Sequence, residues 1–228
     1  MRKLNEDSFL ARPQLGLWAV ADGMGGHEAG EVASRVVVEA LDGVPQQASG
    51  FAFVREVSGA LQDANRRLIE FAAARSADVV GSTVVALLAF EGHYACLWAG
   101  DSRAYRFAGG QLAPLTNDHS LIQQLIDSGA LTRAEAKRSR RGHVITRAVG
   151  VDPTLDLEMR QGPLAAGDTF LLCSDGLTGV LEDADIADVL ATAPDLETCA
   201  ERLLALSLSR GAPDNVTVVL VHAESAGA

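Results

Sequence analysis

The sequence predicts an α+β fold, antiparallel sheets with helices packed on the outside. Two observations carry this. Apolar runs follow one another across short glycine turns, as Ser82–Phe90 and Tyr94–Ala99 do across Gly92, which is hairpin grammar rather than strand–helix–strand alternation. Between the hairpins lie stretches whose apolar residues recur every three or four positions, the period of a half-buried helix.

In chain order, Phe9–Ala11 begins a strand before Pro13, and Gln14–Gly16 turns into a second strand, Leu17–Ala21. That run has no polar alternation, so it reads as buried. It stops at Asp22, and the chain then turns through four glycines in eight residues, Gly23 to Gly30. The stripe Ala29, Val32, Ala33, Val36, Val37, Ala40 and Leu41 is a helix ending near Gly43, with Pro45 beyond it. Val54, Val57, Leu61, Ala64, Leu68 and Phe71 mark a second helix. The Gly81–Phe90 and Tyr94–Ala99 hairpin follows, then Gly100-Asp101-Ser102-Arg103, then a strand over Ala104–Phe107 turning at Gly109-Gly110.

Leu121, Ile122, Leu125 and Ile126 form a short helix stopped by Gly129, and Thr132-Arg-Ala-Glu135 is a capping box. The protein's basic cluster, Lys137, Arg138, Arg140 and Arg141, comes next. Thr169–Cys173 is a buried strand, Ala184–Ala191 and Leu196–Leu208 are helices, and Val216–His222 is the last strand. With no repeat and no linker, residues 1–228 are expected to form one domain with a flexible tail from about 223 to 228.

A net charge of -11 argues against a nucleic-acid partner held by general electrostatics. No apolar run is long enough to span a membrane, and Met1-Arg-Lys-Leu-Asn lacks the apolar core of a signal peptide. Cys96, Cys173 and Cys199 sit scattered in apolar runs and read as core residues in a reducing compartment. A cytoplasmic location is expected.

Three aspartates share one local pattern: Asp22, Asp101 and Asp175 each end an apolar run beside glycine, while Asp214 precedes the last strand. Strand-end carboxylates can converge on one point, and hard divalent cations take several carboxylate and carbonyl oxygens. Zinc is disfavoured, because neither His-x-x-x-His nor Cys-x-x-Cys occurs. Gly23-Met24-Gly25-Gly26 lacks the spacing of a dinucleotide fingerprint. The competing reading is a set of solvated turn aspartates.

Seven motifs occur in order: Asn5-Glu6-Asp7-Ser8, Ala21-Asp22-Gly23-Met24-Gly25-Gly26-His27, Gly81-Ser82-Thr83, Gly100-Asp101-Ser102-Arg103, Thr146-Arg147-Ala148-Val149-Gly150, Ser174-Asp175-Gly176-Leu177 and Asp214-Asn215-Val216-Thr217. From Arg2 to His222 the chain resembles the bacterial metal-dependent protein phosphatases (PPM, type 2C). The resemblance implies an α/β/β/α sandwich, two antiparallel sheets flanked by helices. It also implies hydrolysis of phosphoserine and phosphothreonine by attack of a hydroxide bridging two Mn2+ or Mg2+ ions. Carried over residue by residue, it makes Asp22 the bridging carboxylate, Gly23 a carbonyl donor, and Asp175 and Asp214 further ligands. Glu6 would hold a metal-bound water, and Asp101 with Asp175 a weaker third ion. Arg2 would grip the substrate phosphate. Lys137, Arg138, Arg140 and Arg141 fall where bacterial relatives form a mobile flap, and they read either as a solvated helix end or, in a chain of net charge -11, as a patch that draws in acidic or phosphorylated segments. For Gly81-Ser82-Thr83 a strand start is the favoured reading; Arg103 and Asn215 are expected to brace loops.

Two departures stand out. Met24 holds the place where eukaryotic relatives carry a histidine thought to protonate the leaving group. His27, His119 and His143 are candidates for that role, each with a satisfied loop histidine as the favoured reading. Family members usually carry a strand's worth of chain before the phosphate-binding arginine, so the first strand is expected to be truncated. The implied partners are phosphoproteins, with a cognate serine/threonine kinase, for a monomeric enzyme. Leu10-Ala-Arg-Pro13 and Leu17-Trp18-Ala-Val-Ala21 are similar to phosphatases paired with a kinase in type VI secretion clusters. The rival classes are a catalytically silent module that binds phosphoproteins, which the full carboxylate set argues against, and a small-molecule phosphate hydrolase.

Overall fold

The computed structural model describes residues 4–25, 29–75, 79–136 and 144–224. The elements run β1 (Asp7–Arg12), β2 (Leu17–Gly25), α1 (Ala29–Asp42), α2 (Gly50–Arg75), β3 (Val80–Ser82), β4 (Val84–Phe90), β5 (His93–Ala99), β6 (Arg103–Ala108), β7 (Gln111–Pro114), α3 (Leu121–Asp127), α4 (Arg133–Ala136), β8 (Glu158–Pro163), β9 (Thr169–Cys173), α5 (Asp175–Thr178), α6 (Asp183–Thr192), α7 (Leu196–Ser209) and β10 (Val218–His222). The expected sandwich is the one observed.

One sheet has the order β1-β2-β4-β5-β8, with β3 joined to the far end of β2; the other runs β10-β9-β6-β7. All strand pairings are antiparallel. Alternation sorts the strand residues into layers. Leu17, Ala19, Ala21, Val84, Ala86, Leu88 and Leu97 pack under α1 and α2. Val20, Val85, Leu87, Cys96 and Trp98 face the second sheet's Ala104, Phe170, Leu172 and Val219. The far side of that sheet, Tyr105, Leu171 and Cys173, is covered by Leu177, Ile186, Cys199 and Leu203 from α5, α6 and α7. Strands buried on both faces have no polar side, which is why they read as continuous apolar runs. Each such side chain contributes about 1.5–3 kcal/mol of burial. The three cysteines are free and buried, as expected of core residues.

The differences from the sequence reading are local. β2 does not stop at Asp22 but continues to Gly25, because Gly23, Met24 and Gly25 pair with Ser82, Gly81 and Val80. The Gly81–Phe90 run breaks at Thr83 into β3 and β4. The last strand begins at Val218 rather than Val216. Unforeseen were β7, β8 and the one-turn α5. The capping box at α4 is present: Glu135 Oε2 accepts from Thr132 N at 2.8 Å, and Glu135 N donates to Thr132 Oγ1 at 3.3 Å.

A buried asparagine ties α2 to the chain returning toward β8. Asn65, 1% exposed, accepts from Gly150 N at 2.6 Å and donates to Asp152 O at 2.8 Å. Gly150 has φ +90°, and a Cβ there would lie 2.6 Å from Val80 O, so no larger residue fits. Asn65→Ala is expected to cost about 2 kcal/mol, since it strands a buried N–H and a carbonyl. Urea denaturation checks this: the midpoint should fall with the slope unchanged.

Candidate metal centre

The register sets the site. Asp7 on β1 lies opposite Asp22 on β2. Asp101 follows β5, Asp175 follows β9 and Asp214 precedes β10, all at the same end of the two sheets. Burial first, then the charges of Asp7, Asp175, Asp101 and Asp214, push Asp22 from its ordinary 3.8 up to about 9. Burial, followed by Asp175 and Asp118, raises Asp101 to about 7. Asp7 is also raised by burial, and hydrogen bonds from Thr217 and Ser174 oppose that rise. Five carboxylates from both sheets thus share one low-dielectric cleft.

Hydrogen bonds hold them there. Asp22 N donates to Thr83 Oγ1 at 3.0 Å, Thr83 N donates to Asp22 O at 2.8 Å, and Ser82 Oγ reaches the same carbonyl at 3.1 Å. Thr83 Oγ1 shares a further bond with Ser102 Oγ at 2.7 Å, linking Asp22 to the Asp101 loop. Across the sheets, Asp7 Oδ2 accepts from Ser174 Oγ and Thr217 Oγ1, both at 2.7 Å, fixing the residues beside Asp175 and near Asp214. Glu6 N donates to Asn215 Oδ1 at 3.0 Å, and Arg103 makes two 2.7 Å bonds to Asp118, so both residues brace loops as expected.

Three glycines let backbone come close. A Cβ on Gly30 would overlap Glu6 Oε1 and lie 2.9 Å from Gly23 O, so the Glu6 carboxylate and the Gly23 carbonyl converge on one point. A Cβ on Gly23 would overlap Gly30 O, and one on Gly176 would overlap Asn215 O. Among the described residues, no three His, Cys, Asp or Glu side chains close into a ready-made chelate. The carboxylates instead face one another at a distance where their charges repel. Their number and hardness suit Mg2+ or Mn2+, whose charge would relieve that repulsion.

Asp22, Asp101, Asp175 and Asp214 are therefore brought together, with Glu6 and Gly23 beside them. Arg2, His27, Lys137, Arg138, Arg140, Arg141 and His143 lie outside the described residues. His119 is a braced loop residue. Its Nδ1 accepts from Gly100 N at 3.1 Å, so the proton sits on Nε2, 3.1 Å from Glu158 Oε1, and its ring stacks on Trp98. Burial and the nearby Arg147 lower its pKa. Asp7 was missed although it adjoins Glu6 in the first motif, and Thr83 was read as a strand start only. A groove of about 550 Å³ lined by Phe51, Phe90 and Gln161 lies at the other end of the first sheet, away from the aspartates.

An aspartate-lined cleft where two packed antiparallel sheets end defines a class of sandwich suited to hard divalent cations. The protein phosphatase 2C family model matches residues 2–212, and the chain belongs to that family. It is 36% identical over 224 residues to the serine/threonine protein phosphatase PstP of Mycobacterium tuberculosis; that match takes in 96% of this chain but spans 42% of PstP's length. The serine/threonine phosphatase Stp of Listeria welshimeri is 31% identical over 230 residues, 97% of this chain and 91% of that protein. Among solved structures, PppA, a key regulatory component of T6SS in Pseudomonas aeruginosa, superposes with a TM-score of 0.90 at 43% identity, covering 97% of this chain and 92% of that one. The catalytic domain of PstP, solved in complex with two manganese ions, has a TM-score of 0.89 at 34% identity, covering 99% and 94%.

The raised carboxylates predict how the metal-free protein responds to pH. Between 3.8 and about 9 the folded state holds a proton on Asp22 that the unfolded state releases, so stability falls as pH rises through that window. Asp101 adds to the fall up to about pH 7. Urea unfolding in chelator from pH 5 to 9 should show this decline. Asp22→Asn should flatten it and be the more stable protein at pH 8.

Proposed function

We propose that this chain removes phosphate from phosphoserine and phosphothreonine in proteins, with Mn2+ or Mg2+ held in the aspartate cleft. The observation that carries the reading is the convergence of five carboxylates from both sheets on Asp22. Asp22 would bridge two ions, Asp175 and Asp214 would complete their shells with the Gly23 carbonyl, and Glu6 would orient the hydration around them. Asp101 with Asp175 would hold a weaker third ion. When bound, the cations supply an acidified water as nucleophile and neutralise the phosphoryl oxygens.

The chain's own part is positioning. Ser82 and Thr83 fix the backbone of Asp22 from three directions, and Asp7 fixes the turns on either side of the cleft through Ser174 and Thr217. A reaction centre so held needs little reorganisation as charge builds on the phosphoryl group. Arg2 is assigned the substrate phosphate, which a guanidinium can grip in a fork. Arg138, Arg140 and Arg141 are assigned the capture of acidic or phosphorylated segments.

The likeness to PppA and the Leu10–Pro13 and Leu17–Ala21 stretches support a role opposite a cognate serine/threonine kinase in type VI secretion. We read residues 1–228 as one catalytic domain, acting as a monomer in the cytoplasm. Among the described residues no helix is long and apolar enough to cross a membrane.

Asp22→Asn, Asp175→Asn and Asp214→Asn should each abolish hydrolysis of an aryl phosphate and of a phosphothreonine peptide in Mn2+, and chelator should do the same to the unaltered protein. Activity within about threefold of wild type, roughly 0.6 kcal/mol of barrier, would remove that residue from its role.

A further inference from the structure

Gly81 and the Thr146–Gly150 motif take no direct part in the metal cleft, yet they build a surface beside it. A Cβ placed on Gly81 would lie 3.0 Å from Met24 Cε, 3.2 Å from Val151 Cγ2 and 2.8 Å from Val149 O. The tips of Met24 and Val151 therefore both lie against Gly81, whose missing side chain leaves room for them. Met24 is two residues beyond Asp22 on β2, hence on the same strand face and about 7 Å further along. Val151 is 40% exposed, and Val79, directly before β3, is 48% exposed. Met24, Val79 and Val151 belong to none of the three apolar cores.

This ledge is held in place. Ser82 and Val149 exchange two backbone bonds of 2.9 Å, Asn65 clamps Gly150 and Asp152, and Gln62 Nε2 donates to Leu155 O at 2.7 Å. Single exposed valines need no explanation. A set fixed by buried polar groups, continuous with an acidic cleft, is different. It offers an apolar step where the surroundings would otherwise repel negative side chains.

We propose that the ledge of Met24 and Val151 over Gly81 receives an apolar side chain one or two positions from the phosphorylated residue in an extended substrate segment. The spacing fits, because side chains two apart on an extended chain are about 7 Å apart, the separation between Asp22 and Met24 on β2. This deepens the phosphatase reading and rests on it for the identity of the substrate.

The test uses one phosphothreonine peptide made with Val, Ser or Asp at the two positions on each side of the phosphothreonine. Wild-type kcat/KM should favour Val over Ser by about tenfold, the worth of one half-buried aliphatic side chain, and should be lowest for Asp. Val151→Thr, a near-isosteric change, should cut the preference, and Met24→Gln with Val151→Thr should erase it. Aryl phosphate turnover of Val151→Thr should stay within about twofold of wild type. Equal rates on all three peptides, or a variant that slows every substrate alike, overturns the proposal. Fluorescence anisotropy on the same labelled peptides separates the two readings. If neither substrate is hydrolysed, the phosphatase reading fails. Even then, Val-selective binding that the double variant loses supports the ledge, and equal binding sinks it.

Discussion

The structure depends on mutual repulsion among carboxylates. Asp7, Asp22, Asp101, Asp175 and Asp214 come from five separate places in the chain and act on one another in a buried cleft. At an effective dielectric near 20, two like charges about 4 Å apart repel by about 4 kcal/mol. A hydrogen bond returns about 1 kcal/mol net. Hydrogen bonds alone therefore do not offset the cluster, and protons or cations must. The apolar layers around it supply the stability that holds the cluster together until a cation arrives.

Backbone proximity is the second requirement. A hard cation needs oxygens from several segments within one coordination sphere, and side chains on the approaching backbone would keep them apart. Gly23, Gly30 and Gly176 remove that obstacle where β2, α1 and the Asp214 turn meet. Asp7 joins the sheets at this end by accepting from Ser174 and Thr217. In effect it converts the contact of two apolar sheet faces into a fixed geometry for Asp175 and Asp214. The same economy serves the ledge: Gly81 and Gly150 allow close approach, and Asn65 satisfies the backbone it strands.

Much of the fold was legible because its signals are periodic. Strands such as Val84–Phe90 and Thr169–Cys173 are buried on both faces and so appear as unbroken apolar runs. The helices α1, α2, α6 and α7 show their stripes plainly. What escaped notice was short or exposed. Nearly every residue of β8 is exposed, and it is a strand only because β5 offers it a ladder. The glycine stretch after Asp22 was read as a turn, and it is strand because β3 arrives to pair with it. No local preference of Gly23 or Gly25 would indicate that.

Of the site, the sequence by itself determined the donors: aspartates at the ends of apolar runs, glycines beside them, and an ordered set of motifs that resembles one family. Those features are local, fixed by which residues adjoin which along the chain. Only the tertiary structure decided that Asp7 belongs with them, that Thr83 braces Asp22, that His119 is spent on Gly100 and Glu158, and that Met24 and Val151 both come up against Gly81. Each of these joins residues between 19 and 210 positions apart. Periodicity assigns a residue to a face, whereas its partner across the cleft is set by how the two sheets and their helices pack.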